Sequence, residues 1–157
     1  MIKLKNNSSS VLIAGVIILV IVTAAALIMS LFQPTTILRI GNGVFDARIA
    51  YTQVVREKGL SGVDSLGPNQ ALILVFPSDG EWKIWMKDMK IPLDIVWLNK
   101  DKEVVYSVKD VSRDNPTIFA PNSPARYVVE LPAGTIDGQN IKTGRVATFD
   151  IKQEEIK

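Results

Sequence analysis

One short block near the middle of the chain, reading WKIWMK from Trp82, holds the residues best suited to molecular recognition. Successive side chains on a strand point to opposite faces. Trp82, Ile84 and Met86 are expected to face the interior, and Trp85 and Lys87 then face the solvent. An exposed tryptophan beside a lysine can stack on sugars or peptides. The alternative is that Trp85 lies beneath a neighbouring strand as part of the core.

Charged residues form the second group of candidates. Asp94 enters a strand, where aspartate is poorly suited and needs a partner, such as Arg56, Lys87 or Arg126. The alternative is a structural ion pair that fixes the strand order. Arg126 and Glu130 lie four residues apart on one face of a strand, and they either join this cluster or form ordinary cross-strand pairs. The simplest alternative for Arg56 is a solvated helix charge. The predicted binding residues are therefore Arg56, Trp85, Lys87, Asp94, Arg126 and Glu130.

The chain contains neither histidine nor cysteine. Catalytic triads and imidazole- or thiolate-ligated zinc are thereby excluded. Any catalysis would have to use carboxylates, lysine, tyrosine or hydroxyl groups, and any metal would be a hard cation bound by oxygen. The sequence predicts no cofactor, no metal site and no residue that can be named as catalytic.

Residues 11–32 read VLIAGVIILVIVTAAALIMSLF, which is 22 residues without a charge, a proline or a side-chain amide. A helix of this length spans roughly 33 Å, close to the hydrocarbon thickness of a bilayer. The alternative is a cleaved signal peptide, but its apolar region is shorter and ends at a small-residue site. Here Ala24, Ala25 and Ala26 are followed by further apolar residues. We therefore expect a single transmembrane helix at residues 11–32, with the lipid bilayer as its partner.

Charges flanking this segment predict its orientation. Lys3 and Lys5 precede the apolar run, whereas the next charge beyond it is Arg39. Because the positive end of a span stays in the cytoplasm, residues 1–10 are expected to be cytoplasmic and the rest of the chain extracytoplasmic.

C-terminal to the apolar segment, the pattern of strand and turn residues predicts one small β domain. Residues 33–42 form a stalk and first strand, residues 43–151 the β domain, and residues 152–157 a tail. A hairpin is expected where GNG separates two β-branched runs. Thr52 is expected to cap a helix, Gln53–Lys58, that Gly59 ends. This is the only helix predicted outside the membrane.

Short apolar or alternating runs, separated by turn residues, predict about eight strands in all. They are Thr36–Ile40, Val44–Ala50, Ala71–Phe76, Trp82–Met86, Leu93–Leu98, Glu103–Val108, Arg126–Leu131 and Val146–Ile151. Pro77–Gly80 is expected to form a turn, and residues 110–124 a long loop. Many short strands at close spacing favour a barrel or a sandwich.

Three blocks, REKGLSG from Arg56, KIWMKDMKIPLDIVW from Lys83 and PARYVVELPAG from Pro124, resemble the domain of unknown function 192 family of bacteria and archaea. The resemblance covers about residues 43–150. It implies a compact, barrel-like, jelly-roll type of β domain with one short helix, often exported or membrane-anchored, and it implies no activity. Two positions depart from the usual pattern: Ser61 replaces a methionine, and Arg145 replaces an aspartate after Gly144.

These observations favour a membrane-anchored extracytoplasmic binding or accessory module for an envelope glycan, peptide or partner protein. A carboxylate-dependent envelope hydrolase is the first alternative, with Asp94 and Glu130 as its only sensible couple and Asp88 as a weaker third. A structural subunit of an envelope complex is the second. An exposed aromatic groove favours a binding module, two close carboxylates favour an enzyme, and a large apolar patch favours a structural role.

We expect the protein not to bind nucleic acid. The residues after position 32 carry 16 basic and 16 acidic side chains without a basic run, since only Lys3 and Lys5 of the chain's 18 basic residues precede them. Association with phosphates therefore releases few counterions. Fluorescence anisotropy with labelled DNA and RNA at physiological salt is expected to show no saturable binding, and a micromolar dissociation constant would contradict the prediction.

Overall fold

A computed structural model describes residues 8–31 and 33–151, and within residues 8–31 it describes the side chains of residues 11–23. The described chain forms two compact units whose boundary lies between Gln33 and Pro34. Three of the predicted parts lie wholly or partly outside the described residues. They are the cytoplasmic segment up to residue 7, residue 32 of the span, and the tail at residues 152–157.

The first unit contains a helix, α1 (Ser8–Leu31). The large apolar side chains described for it, from Val11 to Val22, are all more than half exposed. Among the residues that the structure describes, no helix was found to be both long and apolar enough to cross a membrane. The transmembrane helix expected at residues 11–32 is thus unsupported by the structure and stays a prediction.

The second unit is built on a mixed sheet of six strands. In chain order they are β1 (Thr35–Ile40), β2 (Gly43–Ala50), β3 (Gln70–Gly80), β4 (Leu93–Leu98), β5 (Val104–Val111) and β6 (Ala125–Pro132). Their order across the sheet is β1-β2-β3-β6-β4-β5. Only β2 and β3 are parallel, so the chain between them crosses from one end of the sheet to the other and carries a helix on the way.

The sheet is open, and the expected barrel is therefore corrected. β1 and β5 form the two edges and do not pair with each other. The segment expected to be the last strand makes single bridges instead, from Thr148 to Arg39 and from Val146 to Glu103. The expected strand Trp82–Met86 is likewise reduced to one bridge, between Ile84 and Phe119. Isolated bridges do not extend a hydrogen-bonded ladder, so the described residues form six strands rather than about eight.

The short helix α2 (Gln53–Lys58) confirms the capping prediction. The Thr52 hydroxyl accepts a hydrogen bond from the Val55 amide, and Gly59 ends the helix with a φ of 50°. A second helix, α3 (Thr135–Gly138), was not predicted. The expected turn at Pro77–Gly80 is also wrong, because these residues continue β3.

Apolar side chains cover both faces of the sheet centre. Alternate residues of β4 and β6 belong to two separate core clusters, with Val96 and Leu131 in one and Ile95 and Val128 in the other. Residues of α3 and the C-terminal segment pack in the first cluster, while the loop after α2 and the segment before β4 pack in the second. β4 is consequently buried along its whole length. The side of the second cluster is called the cleft face below, and the other the opposite face.

Candidate functional site

A cleft of about 580 Å³ opens on the cleft face. The end of α2, the middle of β3 and the segment that follows β3 form its walls, and one residue of β6 lies at its base. Its lining comprises Gln53, Arg56, Glu57, Lys58, Gly59, Leu60, Ser61, Leu74, Phe76, Pro77, Glu81, Trp82, Lys83, Ile84, Trp85, Met89 and Glu130. A volume of this size lies within the range of small-molecule sites, roughly 300–1,000 Å³.

Two hydrogen bonds join the loop after α2 to the segment between β3 and β4. The Ser61 hydroxyl donates to the carbonyl of Lys87 over 2.8 Å, and the Gly62 amide donates to the carbonyl of Asp88 over 2.9 Å. The Ser61 hydroxyl thereby helps to hold the loop after α2 against the segment before β4.

Aromatic side chains form one wall. The rings of Phe76 and Trp82 stack with 4.2 Å between their centroids and 11° between their planes. The Trp97 indole, buried in β4, donates to the Trp82 carbonyl over 2.8 Å and thereby fixes this segment to the sheet. Trp85 is 46% exposed, while Ile84 and Met86 are buried. The Trp85 ring is therefore part of the surface and not of the core.

Arg56 projects from α2 into the same cleft. Its Nη1 donates to the carbonyl oxygens of Tyr51 and Val75, and its guanidinium carbon lies 5.2 Å from the centre of the Phe76 ring. Partial burial lowers the pKa of Arg56, and the neighbouring Glu57 carboxylate partly offsets this effect. Among the described residues, no hydrogen bond from Nε or Nη2 of Arg56 is found. The Nη1 side of the guanidinium thus binds backbone carbonyls of the protein, while the Nε and Nη2 side can still donate hydrogen bonds.

Glu130 lies at the base of the cleft and is only 6% exposed. Its neighbours across the sheet are Leu72 and Ile95, both apolar. Burial raises the pKa of Glu130 to about 7, against the smaller opposing effects of a hydrogen bond with the Leu60 backbone and of the positive charge on Arg48. Its Oε2 has no hydrogen-bond partner within the part of the chain that the structure describes. A buried carboxyl group with an unused oxygen and a perturbed pKa is typical of a functional site.

Gly59 makes room for this carboxyl group. A Cβ atom at position 59 would lie 3.2 Å from Oε1 and 3.4 Å from Oε2 of Glu130, and the residue's φ of 50° also disfavours a side chain. The glycine that ends α2 therefore allows the helix terminus and the carboxyl group to approach closely.

Three of the six predicted binding residues, Arg56, Trp85 and Glu130, line this cleft together. Lys87 lies outside it, beside Trp85 in a shallower cavity of about 300 Å³ formed with residues 113–116. Arg126 pairs instead with Asp79, with 2.7 Å between Nε and Oδ1. The structure therefore does not bring all six residues into one cavity.

Asp94 is separated from the cleft by the sheet itself. It is fully buried, and its two carboxylate oxygens accept hydrogen bonds from the amides of Asp110 and Ile136 over 2.8 and 2.6 Å. Its Cα partner in β6 is Leu131, a residue of the opposite face, whereas the neighbouring Glu130 points to the cleft face. The couple of Asp94 and Glu130 that the hydrolase hypothesis required is therefore not formed.

Sequence reasoning did not identify several residues of the cleft. Phe76 was expected only as a strand residue, Trp82 only as core, and Gly59 only as a helix terminator. The run REKGLSG, which includes Gly59 and Leu60, was the available signal. In the described part of the chain, no group of three or more carboxylates is arranged to hold a metal ion.

Taken together, these features define a small, mainly β domain with an open six-stranded sheet and one aromatic, ligand-sized cleft on a buried carboxyl group. The model of the domain of unknown function 192 family, described as Uncharacterized ACR, matches residues 36–149, and the chain belongs to this family. That match includes β2 to β6, all of β1 except Thr35, and all residues that line the cleft.

Similar proteins come from archaea and bacteria. A UPF0127 protein of Thermococcus gammatolerans is 32% identical over 69% of this chain and 69% of its own length, and one of Thermococcus sibiricus is 30% identical over 68% of each. A solved structure from Sinorhizobium meliloti 1021, provisionally named a transcription regulator, superposes with a TM-score of 0.72 at 20% identity, covering 74% of this chain and 95% of that one. A protein of unknown function from Novosphingobium aromaticivorans gives 0.68 at 23% identity, covering 74% and 84%. At these identities the two structures show a common fold.

The raised pKa of Glu130 predicts a pH-dependent stability. Between about pH 4.5, the ordinary pKa, and about pH 7, the unfolded chain has released this proton while the native protein retains it. The native state then binds more protons, so the free energy of unfolding falls as the pH rises through this window. The loss amounts to roughly 3 kcal/mol, at about 1.4 kcal/mol per pKa unit. Urea denaturation from pH 4 to 9 measures it.

The substitution Glu130→Gln is expected to remove this contribution, so the variant should be more stable than the wild type above pH 7 and similar to it below pH 4.5. Glu81→Gln, which changes an exposed carboxyl group at the rim of the same cleft, serves as the control and should leave the pH profile unchanged. Parallel profiles for wild type and Glu130→Gln would contradict the assignment.

Proposed function

We propose that this protein is a ligand-binding or accessory module of the cell envelope, and that the cleft above Glu130 is its binding site. The observation that supports this most directly is the coexistence in one cleft of an exposed tryptophan and a buried carboxyl group with an unused oxygen. Binding sites commonly combine apolar and aromatic contact area with a few well-placed polar groups. The rings provide contact area, while Arg56 and Glu130 provide orientation.

The cleft also bears on the two alternative functions. A hydrolase acting through Asp94 and Glu130 is disfavoured, because these carboxyl groups lie on opposite faces of a covered sheet and both oxygens of Asp94 accept backbone hydrogen bonds. A purely structural subunit would be expected to present a large apolar patch rather than a cleft with polar groups at its base. The provisional name of the Sinorhizobium relative does not lead us to propose regulation of transcription, since the charges of this domain are balanced.

We further propose that the module is tethered to a membrane by its N-terminal segment and faces the outside. The support is the uncharged run of residues 11–32, together with the helical backbone found over Ser8–Leu31. A helix that is apolar on all faces gains more from lipid than from water. Lys3 and Lys5 at one end favour a cytoplasmic amino terminus. An envelope glycan, peptide or partner protein is accordingly the expected class of ligand.

The binding function is tested by Trp85→Ala. Because the ring is 46% exposed, we expect the free energy of unfolding to change by less than about 1 kcal/mol, whereas affinity for the ligand should fall at least about tenfold. Calorimetric titration with a panel of envelope-derived peptides and glycans measures affinity, and thermal denaturation measures stability. Val44→Ala is the matched control, because Val44 is 47% exposed and lies outside the cleft.

Two results would count against the binding module. One is the absence of binding by the wild-type protein to any member of the panel. The other is a loss of several kcal/mol of stability in Trp85→Ala, which would show that the Trp85 ring is part of the core.

Membrane attachment is tested by alkaline extraction of the full-length protein from isolated membranes. We expect the protein to remain in the membrane pellet, because residues 11–32 are long enough to span the hydrocarbon layer. Protease added to spheroplasts should digest the β domain, whereas a cytoplasmic marker protein should survive as the control. Release by carbonate, or a β domain that is protected in intact spheroplasts, would refute the proposed topology.

A further inference from the structure

Two polar groups of opposite charge project into the cleft, and each has unused hydrogen-bonding capacity. Arg56 uses Nη1 for the carbonyls of Tyr51 and Val75, and no hydrogen bond from Nε or Nη2 is found among the described residues. Glu130 has an unpartnered Oε2. No salt bridge between Arg56 and Glu130 occurs in the part of the chain that the structure describes, although both residues line the same cleft. The two groups therefore do not satisfy each other.

The remaining charges of the cleft do not favour a ligand of one sign. Lys58 and Lys83 line it together with Glu57 and Glu81, and all four are exposed. Exposed charges of mixed sign are hydrated and screened, and they contribute little net attraction to either an anion or a cation. Selectivity then depends on Glu130, which is buried, and on Arg56, which is partly buried.

The fork geometry of arginine matches a carboxylate. Two parallel N–H donors, Nε and Nη2, can bind both oxygens of one carboxylate. Glu130, in turn, requires a hydrogen-bond donor. An ammonium group is such a donor, and it also neutralises the charge of a carboxylate that is buried among apolar residues. In the same cleft, the rings of Trp82 and Trp85 offer contact area to an apolar or amphipathic body.

We propose that the cleft binds zwitterionic ligands of the amino acid and short-peptide class. The ligand's amino group donates to the carboxyl group of Glu130, its carboxylate accepts from Nε and Nη2 of Arg56, and its body lies against Trp82 and Trp85. This inference rests on the proposed function, since it specifies the ligand of the same cleft.

A pH dependence of the affinity follows from this arrangement. An ammonium group favours the ionised form of Glu130, so below about pH 7 the protein must first release a proton and affinity should fall by up to about tenfold per pH unit. The positively charged groups near Glu130 and the backbone donors at the end of α2 reduce this loss of affinity. They favour the ionised form of Glu130 before any ligand binds. The charged and titratable groups that face Glu130 or share its cleft are Arg48, Arg56, Glu57, Lys58, Glu81 and Lys83.

The test uses the purified full-length protein and four probes: alanyl-alanine, its N-acetyl form, its C-terminal amide and the doubly blocked peptide. Calorimetry at pH 8 is expected to show that blocking either end of the peptide weakens binding roughly 10- to 100-fold, the effect of losing one charged hydrogen bond. In Glu130→Gln the N-acetyl and free peptides should bind equally, while the amide should still bind more weakly. In Arg56→Gln the amide and the free peptide should bind equally, while the N-acetyl peptide should still bind more weakly. Free alanine as a fifth probe distinguishes single amino acids from peptides as the ligand.

Because each comparison is made within one variant, a general loss of affinity from altered folding cancels. Glu130→Gln is nearly isosteric and should fold, so it decides the outcome even if Arg56→Gln does not. Equal binding of all four peptides by the wild type, or a wild-type preference that persists in Glu130→Gln, would overturn the proposal. If envelope glycans bind and zwitterions do not, the binding module stands and the ligand class is wrong. If neither class binds, both fail.

Discussion

Burial of the sheet centre from both sides is the constraint on which the rest of this structure depends. β4 is buried along its whole length, and β6 is buried from Val128 to Leu131. A polar side chain within these buried stretches is withdrawn from bulk water and must find its hydrogen bonds within the protein. Each strand carries one carboxyl group, Asp94 on β4 and Glu130 on β6, and the two meet this constraint differently.

Asp94 is fully satisfied. Its oxygens accept from the amide of Asp110, beside the end of β5, and from the amide of Ile136, in the first turn of α3. The carboxylate thereby joins two elements that are 26 residues apart in sequence to the centre of the sheet. This is a structural role, and it explains why an aspartate occurs at a strand position where an apolar residue would otherwise be expected.

Glu130 is satisfied only in part. The Leu60 backbone partly offsets the effect of burial on the pKa of Glu130, while Oε2 lacks a hydrogen-bond partner among the described residues. An incompletely satisfied buried carboxyl group destabilises the fold, particularly when it is ionised. In the function proposed above, a ligand in the cleft is the partner that this carboxyl group lacks within the protein. Gly59, at the end of α2, lies against this carboxyl group, and the stacked pair of Phe76 and Trp82 lines the same cleft.

Local rules account for what the sequence by itself determined. The hairpin of β1 and β2, the capped helix at Gln53–Lys58, the strand Leu93–Leu98 and the family all follow from neighbouring residues or contiguous blocks. The sequence left open whether Trp85 lies at the surface or in the core, and the tertiary structure places it at the surface. Only tertiary structure decided that the sheet stays open, that Asp94 and Glu130 lie on opposite faces, and that Arg126 pairs with Asp79. These outcomes depend on the register between strands distant in sequence, where a shift of one residue transfers a side chain to the other face.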